Sequence, residues 1–99
     1  IEASHLKELA RLREFGIDTQ IADPQASSEE CLHEYGVALT PFHELRPADA
    51  VILAVPHSEY LAGGWPMVAT LAKPGGLVMD VKSVLSREGA PDSLRLWRL

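Results

Sequence analysis

Two short polar segments that directly follow strongly apolar runs contain the residues best suited to chemistry. Asp80 and Lys82 follow the run Gly75–Met79, and His57 follows the run Ala50–Val55. Continuous apolar runs of this kind are typical of parallel strands that are covered on both faces. Because open α/β sheets bind their ligands at the carboxyl ends of the strands, the three polar side chains are predicted to share one edge of a sheet. An ammonium group at that edge could hold a pyrophosphate or a carboxylate.

Each of these three residues also has a purely structural interpretation. Lys82 could be a solvated surface lysine. Asp80 could orient that lysine or accept a hydrogen bond from a hydroxyl group, but it could equally cap the following turn by accepting backbone N–H groups. His57 could bind a base, a ribose or a phosphate, although a histidine in a surface turn is the commoner case. All three are candidate substrate-binding residues.

The other residue types that often act in catalysis show no comparable pattern. Cys31 falls on the inner face of a predicted helix without a basic neighbour, which favours a buried structural thiol over a nucleophile. His5, His33 and His43 lie on different predicted elements without metal-ligand spacing. We therefore predict no catalytic residue and no metal ligand in this chain.

Composition and charge limit the classes of protein to which this chain can belong. The 99 residues, 46% of them hydrophobic, suffice for a single domain over residues 1–99. No apolar run approaches the roughly 20 residues that a membrane-spanning helix needs, and residues 1–5 lack the features of a signal peptide. A single cysteine suits the reducing cytoplasm. The net charge is -5, and acidic and basic residues are interspersed along the chain. This distribution gives no electrostatic field that would attract nucleic acid or an anionic membrane.

Helical and extended patterns alternate along the chain. Apolar spacing and turn residues predict helices at residues 3–15, 28–36, 41–45, 58–61 and 65–72, and strands at residues 17–22, 37–40, 50–55, 77–81 and 94–99. The strand at residues 50–55 is expected at the centre of the sheet. The predicted fold class is therefore α/β, a Rossmann-like three-layer sandwich with a mostly parallel sheet and right-handed crossovers.

Local signals define the ends and the inner faces of the first two helices. Gly16 and Gly36 are expected just beyond their C-termini, because glycine adopts the left-handed conformation that ends many helices. Ser27 or Ser28 is expected to cap the second helix at its start. The inner face of that helix is predicted to consist of Cys31, Leu32 and Tyr35.

Several segments together resemble the C-terminal, nucleotide-binding domain of the UDP-glucose/GDP-mannose dehydrogenase family. They are Arg13–Ile17 continuing into Ala22–Pro24, then Ala48–His57, and then Leu71–Lys82. The final segment, Leu96–Leu99, is similar to the bacterial branch that acts on UDP-N-acetylated amino sugars or their uronates. The segments occur in the family's order and cover almost the whole chain, which makes their combination far more specific than any one of them.

This resemblance implies the UDP-sugar-binding domain of an NAD-dependent enzyme that oxidises the C6 alcohol of a nucleotide sugar to a carboxylate for polysaccharide biosynthesis. It implies that Lys82 reaches the bound nucleotide sugar. In the family the nucleophilic cysteine and the dinucleotide fingerprint lie upstream, so NAD is expected to be bound mainly by another domain. This chain alone is therefore expected to be inactive.

The resemblance also implies partners and an incomplete sheet. The expected partners are a UDP-sugar, the N-terminal dehydrogenase domain of the same polypeptide, and further copies in a cytoplasmic homo-oligomer such as a dimer. Because the sequence begins directly at a helix, the family's first strand, which ends in a Phe-Lys pair, is expected to be missing.

Three other interpretations of the sequence stay open at this point. The segments Ala48–Pro56 and Pro74–Ser83 also look like the later half of an NAD-binding domain of the prephenate dehydrogenase type, although no glycine-rich turn precedes the first helix. The segment Leu71–Gly76 also suggests a methyltransferase fragment. A non-catalytic α/β interaction module is compatible with the lack of catalytic residues.

Overall fold

The computed structural model describes residues 6–55 and 57–98 and divides the chain into two compact units, one ending at Leu45 and the other beginning at Arg46. The first unit contains helices α1 (Leu6–Glu14) and α2 (Ser28–Tyr35) and one 3₁₀ turn (Phe42–Glu44). The second contains, in chain order, strand β1 (Ala48–Leu53), helix α3 (Ser58–Leu71), strand β2 (Ala72–Asp80) and strand β3 (Arg95–Arg98). The predicted start of the first helix, at residues 3–5, lies outside the described residues.

Both helices of the first unit end at the predicted glycines. Gly16 has a φ of 78°, and the N–H groups of Gly16 and Ile17 donate to the carbonyls of Arg13 and Leu12, each over 3.0 Å. Gly36 has a φ of 65°. This geometry satisfies carbonyl groups that would otherwise lack partners at the end of a helix. The predicted C-terminal ends of both helices are confirmed.

Helix α2 begins at a predicted cap but buries only part of its predicted inner face. The hydroxyl oxygen of Ser27 accepts a hydrogen bond from the Glu30 N–H group over 3.3 Å. Cys31 is buried, as predicted, whereas Leu32 is 59% exposed, so the prediction was wrong for Leu32. Side chains at consecutive helix positions point about 100° apart. When the side chain of Cys31 packs inward, that of Leu32 is therefore directed toward solvent. The side chain of Tyr35 lies outside the described part of the chain.

The strands predicted in the first unit, at residues 17–22 and 37–40, are not strands in the structure. One backbone hydrogen bond, from Thr40 N to Ile21 O over 2.7 Å, joins the two segments. A β-ladder requires a succession of such bonds. The prediction was wrong because β-branched residues favour a strand only where a neighbouring strand pairs with them.

Three parallel strands form the sheet of the second unit, in the order β1, β2, β3. The register places Leu53 of β1 opposite Asp80 of β2, and Asp80 opposite Arg98 of β3. Because the strands are parallel and in this register, all three end at the same edge of the sheet. The all-parallel sheet with its helix confirms the predicted α/β, Rossmann-like class.

The hydrophobic core of the second unit is centred on β2. Val78 of β2 and Val68 of α3 are 0% and 1% exposed and belong to one cluster. Leu53, Ala72 and Leu85 complete the buried part of that cluster. Since Leu85 lies beyond the end of β2, the core also anchors the loop that follows the strand.

Helix α3 contains an interruption that the sequence predicted. Gly64 has φ 53° and ψ −149°, which is not helical, and it divides α3 into an earlier and a later segment. The predicted pair of helical segments on either side of Gly63-Gly64 is thereby confirmed. Among the described residues, no helix combines the length and the apolar character that a membrane span requires.

Strand β2 begins earlier than predicted, at Ala72 instead of Leu77. Its first residues include an irregularity in the pairing with β1, where the register shifts between Ala48 and Ala50. A Cβ atom added at Gly76 would lie 2.8 Å from the carbonyl oxygen of Lys73 and 3.0 Å from that of Asp49. A residue with a side chain at this position would therefore push β1 and β2 apart.

The prediction that β1 lies at the centre of the sheet, covered on both faces, is wrong for the described residues. Strand β1 pairs with β2 and lies at an edge, while β2 occupies the central position. Ile52 is 51% exposed, and Leu53 is the only buried residue of β1. A continuous apolar run indicates a strand that tolerates burial on both faces, but it does not specify which strands will lie beside it.

We expect Val78→Ala to lower the free energy of unfolding by about 2–3 kcal/mol, because it removes two methyl groups from a fully buried site. Ile52→Ala removes more atoms from a half-exposed site and should cost less than half as much. Urea unfolding of the two variants measures the difference. Equal losses would show that Ile52 is buried in solution and would contradict the edge position of β1.

Candidate functional site

The site lies at the carboxyl end of β2, where residues 81–85 form a tight loop. The Val81 N–H group donates to Leu53 O over 3.1 Å, which extends the pairing of β1 and β2 by one residue. The Ser83 N–H group then donates to Asp80 O over 3.3 Å and closes a turn. The loop therefore starts from a rigid strand end and returns into the core at Leu85.

Asp80 is fully buried and anchors this loop from the protein interior. Its Oδ2 atom accepts a hydrogen bond from the Leu85 N–H group over 2.7 Å. This is the backbone-capping role that the sequence left open for Asp80. The carboxylate has no exposed surface, and its Oδ1 atom has no hydrogen-bonding partner among the described residues. In this structure the group therefore organises the loop and does not face solvent.

Lys82 lies within the loop and is exposed. Its neighbours along the chain, Val81 and Ser83, are both held by backbone hydrogen bonds. The structure thus places a cation at the carboxyl edge of the sheet on a segment whose backbone is fixed at both sides. Such a group can meet an anionic ligand without crossing the core.

Ser83 has a φ of 55°, the only positive value at a non-glycine residue in the described part of the chain. The left-handed conformation costs an ordinary residue roughly 1–2 kcal/mol. Strain of this kind persists where the surrounding contacts over-determine the backbone. Here the contacts include the hydrogen bond from the Ser83 N–H group to Asp80 O and one from Arg98, whose Nη2 atom donates to Ser83 O over 3.1 Å.

Arg98 is a site residue that the sequence interpretation missed. It lies opposite Asp80 in the β2–β3 register, with its Nε atom 4.0 Å from Asp80 Oδ2. The signal was present in the sequence, because Arg98 shares the period-two face of Leu94 and Leu96, which pack against the core. A cation on the apolar face of an alternating strand indicates a buried acidic partner.

His57 follows β1, the strand next to β2 at the same edge. It immediately precedes α3, and its carbonyl accepts hydrogen bonds from Tyr60 and Leu61 over 3.0 and 3.1 Å. Its half-buried ring meets the ring of Tyr60 edge-on, with the centroids 5.6 Å apart. The ring is therefore held by local contacts at the edge where β1 ends.

Trp65 connects α3 to the chain beyond the loop. Its Nε1 atom donates to Ser86 O over 2.7 Å, and Ser86 Oγ accepts from the Gly89 N–H group over 3.1 Å. A Cβ atom at Gly89 would lie 2.9 Å from the Trp65 ring. Ser86 therefore stabilises a local turn, and Trp65 fixes the segment that leads from the loop to β3.

The cation at this edge of the sheet is of the type that binds anionic groups. No group of three or more histidine, cysteine or acidic side chains in the described part of the chain could hold a metal ion. The paired glycines, at 63–64 and 75–76, lie inside α3 and β2. Neither pair connects a strand to the start of a helix, so these residues do not fit the pyrophosphate of NAD.

Residues 2–87 match the model of the UDP-glucose/GDP-mannose dehydrogenase family, UDP binding domain. The chain is 32% identical over 91 residues to protein CapL of Staphylococcus aureus, a match that covers 92% of the chain and 21% of the relative. No solved structure matches the chain.

Two further relatives are named as sugar dehydrogenases. The chain is 35% identical over 79 residues to UDP-N-acetyl-D-glucosamine 6-dehydrogenase of Pseudomonas aeruginosa, covering 78% of the chain and 18% of the relative. It is 35% identical over 81 residues to the putative UDP-glucose 6-dehydrogenase YtcA of Bacillus subtilis, covering 81% of the chain and 19% of the relative. The chain therefore spans about a fifth of the length of these curated relatives.

The strain at Ser83 predicts opposite effects for two substitutions. Ser83→Gly should leave the free energy of unfolding unchanged or raise it by up to about 1 kcal/mol, because glycine adopts positive φ without a steric penalty. Ser83→Val should lower it by more than about 1 kcal/mol, since a β-branched residue is an outlier at positive φ. Thermal or urea unfolding measures both. A valine variant as stable as the glycine variant would show that the loop does not hold this conformation in solution.

Proposed function

Because the chain belongs to the UDP-glucose/GDP-mannose dehydrogenase family, as its UDP-binding domain, we propose that the carboxyl edge of its sheet forms one wall of a UDP-sugar pocket. The observation that carries the proposal is an exposed cation, Lys82, on a backbone-fixed loop at the end of the central strand. In this proposal Lys82 meets the pyrophosphate of the nucleotide sugar.

The loop geometry explains why one lysine suffices at this position. An exposed lysine side chain is hydrated and mobile in the free protein. Its contact with a ligand contributes net affinity only if the conformational entropy lost on binding is small. The backbone on either side of Lys82 is already ordered by hydrogen bonds to Leu53 and Asp80. The ordering cost therefore falls on the lysine side chain alone. A charge-assisted hydrogen bond to phosphate can then contribute to affinity.

His57 and Asp80 have different roles in the proposal. His57 lies beyond the end of β1, next to β2, and an imidazole ring at this edge can exchange hydrogen bonds with a ribose or a base. Asp80 acts from the interior, because its buried carboxylate holds the loop through Leu85. Of the three residues predicted from the sequence, Lys82 and His57 are proposed ligand contacts and Asp80 is proposed to position Lys82.

The whole protein is proposed to be an NAD-dependent nucleotide-sugar 6-dehydrogenase that supplies sugar acids for polysaccharide biosynthesis. When bound to the whole protein, NAD would supply the oxidant: two molecules would each take one hydride as the primary alcohol becomes a carboxylate, with the second oxygen atom coming from water. This domain contributes binding and orientation of the nucleotide. NAD binding and the redox residues are assigned to the rest of the same polypeptide, and the enzyme is proposed to act as a cytoplasmic homo-oligomer.

The family match decides between the interpretations that the sequence left open. It covers residues 2–87 as a UDP-binding domain, which argues against an NAD-binding half-domain and against a methyltransferase fragment. The named relatives are sugar dehydrogenases, so membership of an enzyme is favoured over a purely structural interaction module.

Lys82→Ala is expected to weaken UDP binding by roughly 1–3 kcal/mol, about 5- to 150-fold in Kd, because it removes one charge-assisted contact. The measurement is isothermal titration of UDP into the full-length protein that contains this sequence, before and after the substitution. Amide signals of His57 and Lys82 should also shift on addition of UDP.

Lys73→Ala provides the matched control. Lys73 is an exposed lysine at the opposite, amino end of β2, where it pairs with Asp49 over 3.6 Å. The substitution removes the same charge at the other end of β2 and should leave the Kd of UDP unchanged. Equal weakening by both substitutions would mean that net charge, not a contact at Lys82, drives binding. A response to NAD without a response to UDP would overturn the proposal.

A further inference from the structure

Arg98 is a charged residue on the inward side of a short strand. Along β3, Arg95 and Trp97 are exposed, whereas Leu96 packs against the core and the Arg98 side chain is 24% exposed. A guanidinium group on the apolar side of a sheet loses hydration and must find protein partners. The partners of Arg98 are therefore expected to explain its position.

Both partners of the guanidinium group bracket Lys82. The Nη2 atom donates to Ser83 O over 3.1 Å, and the Nε atom lies 4.0 Å from Asp80 Oδ2. Asp80 precedes Val81 and Lys82, and Ser83 follows them. One planar, multidentate group thus spans the two sides of the segment that carries the exposed lysine, which a lysine at position 98 could not do.

The turn needs this support because its own backbone bond is long. The Ser83 N–H group reaches Asp80 O over 3.3 Å, while Ser83 holds a strained φ of 55°. The hydrogen bond from Arg98 is shorter, at 3.1 Å, and it comes from a strand that is itself paired with β2. Without it, the strain at Ser83 would favour relaxation of the backbone next to Lys82.

The ion pair between Asp80 and Arg98 leaves one atom of each group without a hydrogen bond. Asp80 Oδ1 and Arg98 Nε are buried and have no hydrogen-bonding partner among residues 6–55 and 57–98. The 4.0 Å between Nε and Oδ2 is an ion-pair distance, longer than a hydrogen bond. A small movement of the guanidinium group would join the two.

We propose that Arg98 is a positioning residue for Lys82: by contacting Asp80 and Ser83 together, it fixes the loop in the conformation that presents Lys82 to a nucleotide diphosphate. The inference rests on the proposed function, because it assumes that Lys82 meets the ligand. Arg98 itself does not touch the ligand. Its effect on affinity passes through Lys82.

A double-mutant cycle tests this route of action. Arg98→Lys keeps the positive charge beside Asp80, so the buried carboxylate stays compensated, but a single ammonium group cannot serve both partners. In the full-length wild-type protein, Arg98→Lys is expected to raise the Kd of UDP at least about fivefold. In the Lys82→Ala background, the same substitution is expected to raise the Kd less than about twofold. Residues that act independently would show the same factor in both backgrounds.

Arg98→Met is the harsher variant and Arg95→Lys the matched control. Arg98→Met removes every donor and should weaken UDP binding more than Arg98→Lys, with the same dependence on Lys82. Arg95 is exposed at the other end of β3, opposite Leu77, so Arg95→Lys should leave the Kd unchanged. The titration stoichiometry reports the folded fraction separately from the Kd. If Arg98→Met does not fold, the double-mutant cycle of Arg98→Lys and Lys82→Ala alone tests the proposal.

The outcomes separate the inference from the function on which it rests. A wild-type protein that does not bind UDP overturns the proposed function and the inference with it. If UDP binds and Lys82→Ala weakens it, an unchanged Kd in Arg98→Lys overturns the inference alone. An equal loss in the wild-type and Lys82→Ala backgrounds also overturns it, because Arg98 would then support the domain generally and not Lys82.

Discussion

The buried carboxylate of Asp80 is the constraint on which the rest of the site depends. An ionised group without exposure is costly unless hydrogen bonds and opposite charge surround it. The chain meets this requirement by turning back at once, so that the Leu85 N–H group reaches Oδ2 over 2.7 Å. The tight loop is therefore a consequence of the acid at the end of β2, and its closing residue, Leu85, is fixed a second time by the hydrophobic core.

The same constraint separates two charges that are only two residues apart. Asp80 faces the interior, and Lys82 is exposed on the loop that Asp80 creates. A direct Asp80–Lys82 ion pair would neutralise the lysine and leave less charge for a ligand. The acid is instead paired with Arg98 from the neighbouring strand, which leaves the ammonium group of Lys82 available at the carboxyl edge of the sheet. The site is thus built by directing each charge to a different partner.

Local signals predicted the parts of this structure that depend on short-range geometry. Gly16 and Gly36 end their helices as expected, and the central strand ends at Asp80, just before Lys82, because an apolar run stops there. Predictions that depended on which strands become neighbours were less successful. The segments at 17–22 and 37–40 lack a ladder, and β1 lies at an edge, because an apolar or β-branched pattern cannot specify a pairing partner. Arg98 was missed for the same reason, since its meaning depends on the β2–β3 register.

A domain of this kind can influence catalysis without containing any reacting group. In the proposed pocket the pyrophosphate would lie away from the sugar carbon that is oxidised, so a contact at Lys82 would be the same before and during the chemical step. Uniform binding of this sort lowers KM without lowering the barrier of the bound complex. It affects turnover only where it orients the sugar against groups on the other domain, and that requires a nucleotide held in one position. A rigid loop around Lys82 meets this requirement better than a mobile lysine would, which explains why the fold accepts strain at Ser83 and a buried ion pair behind it.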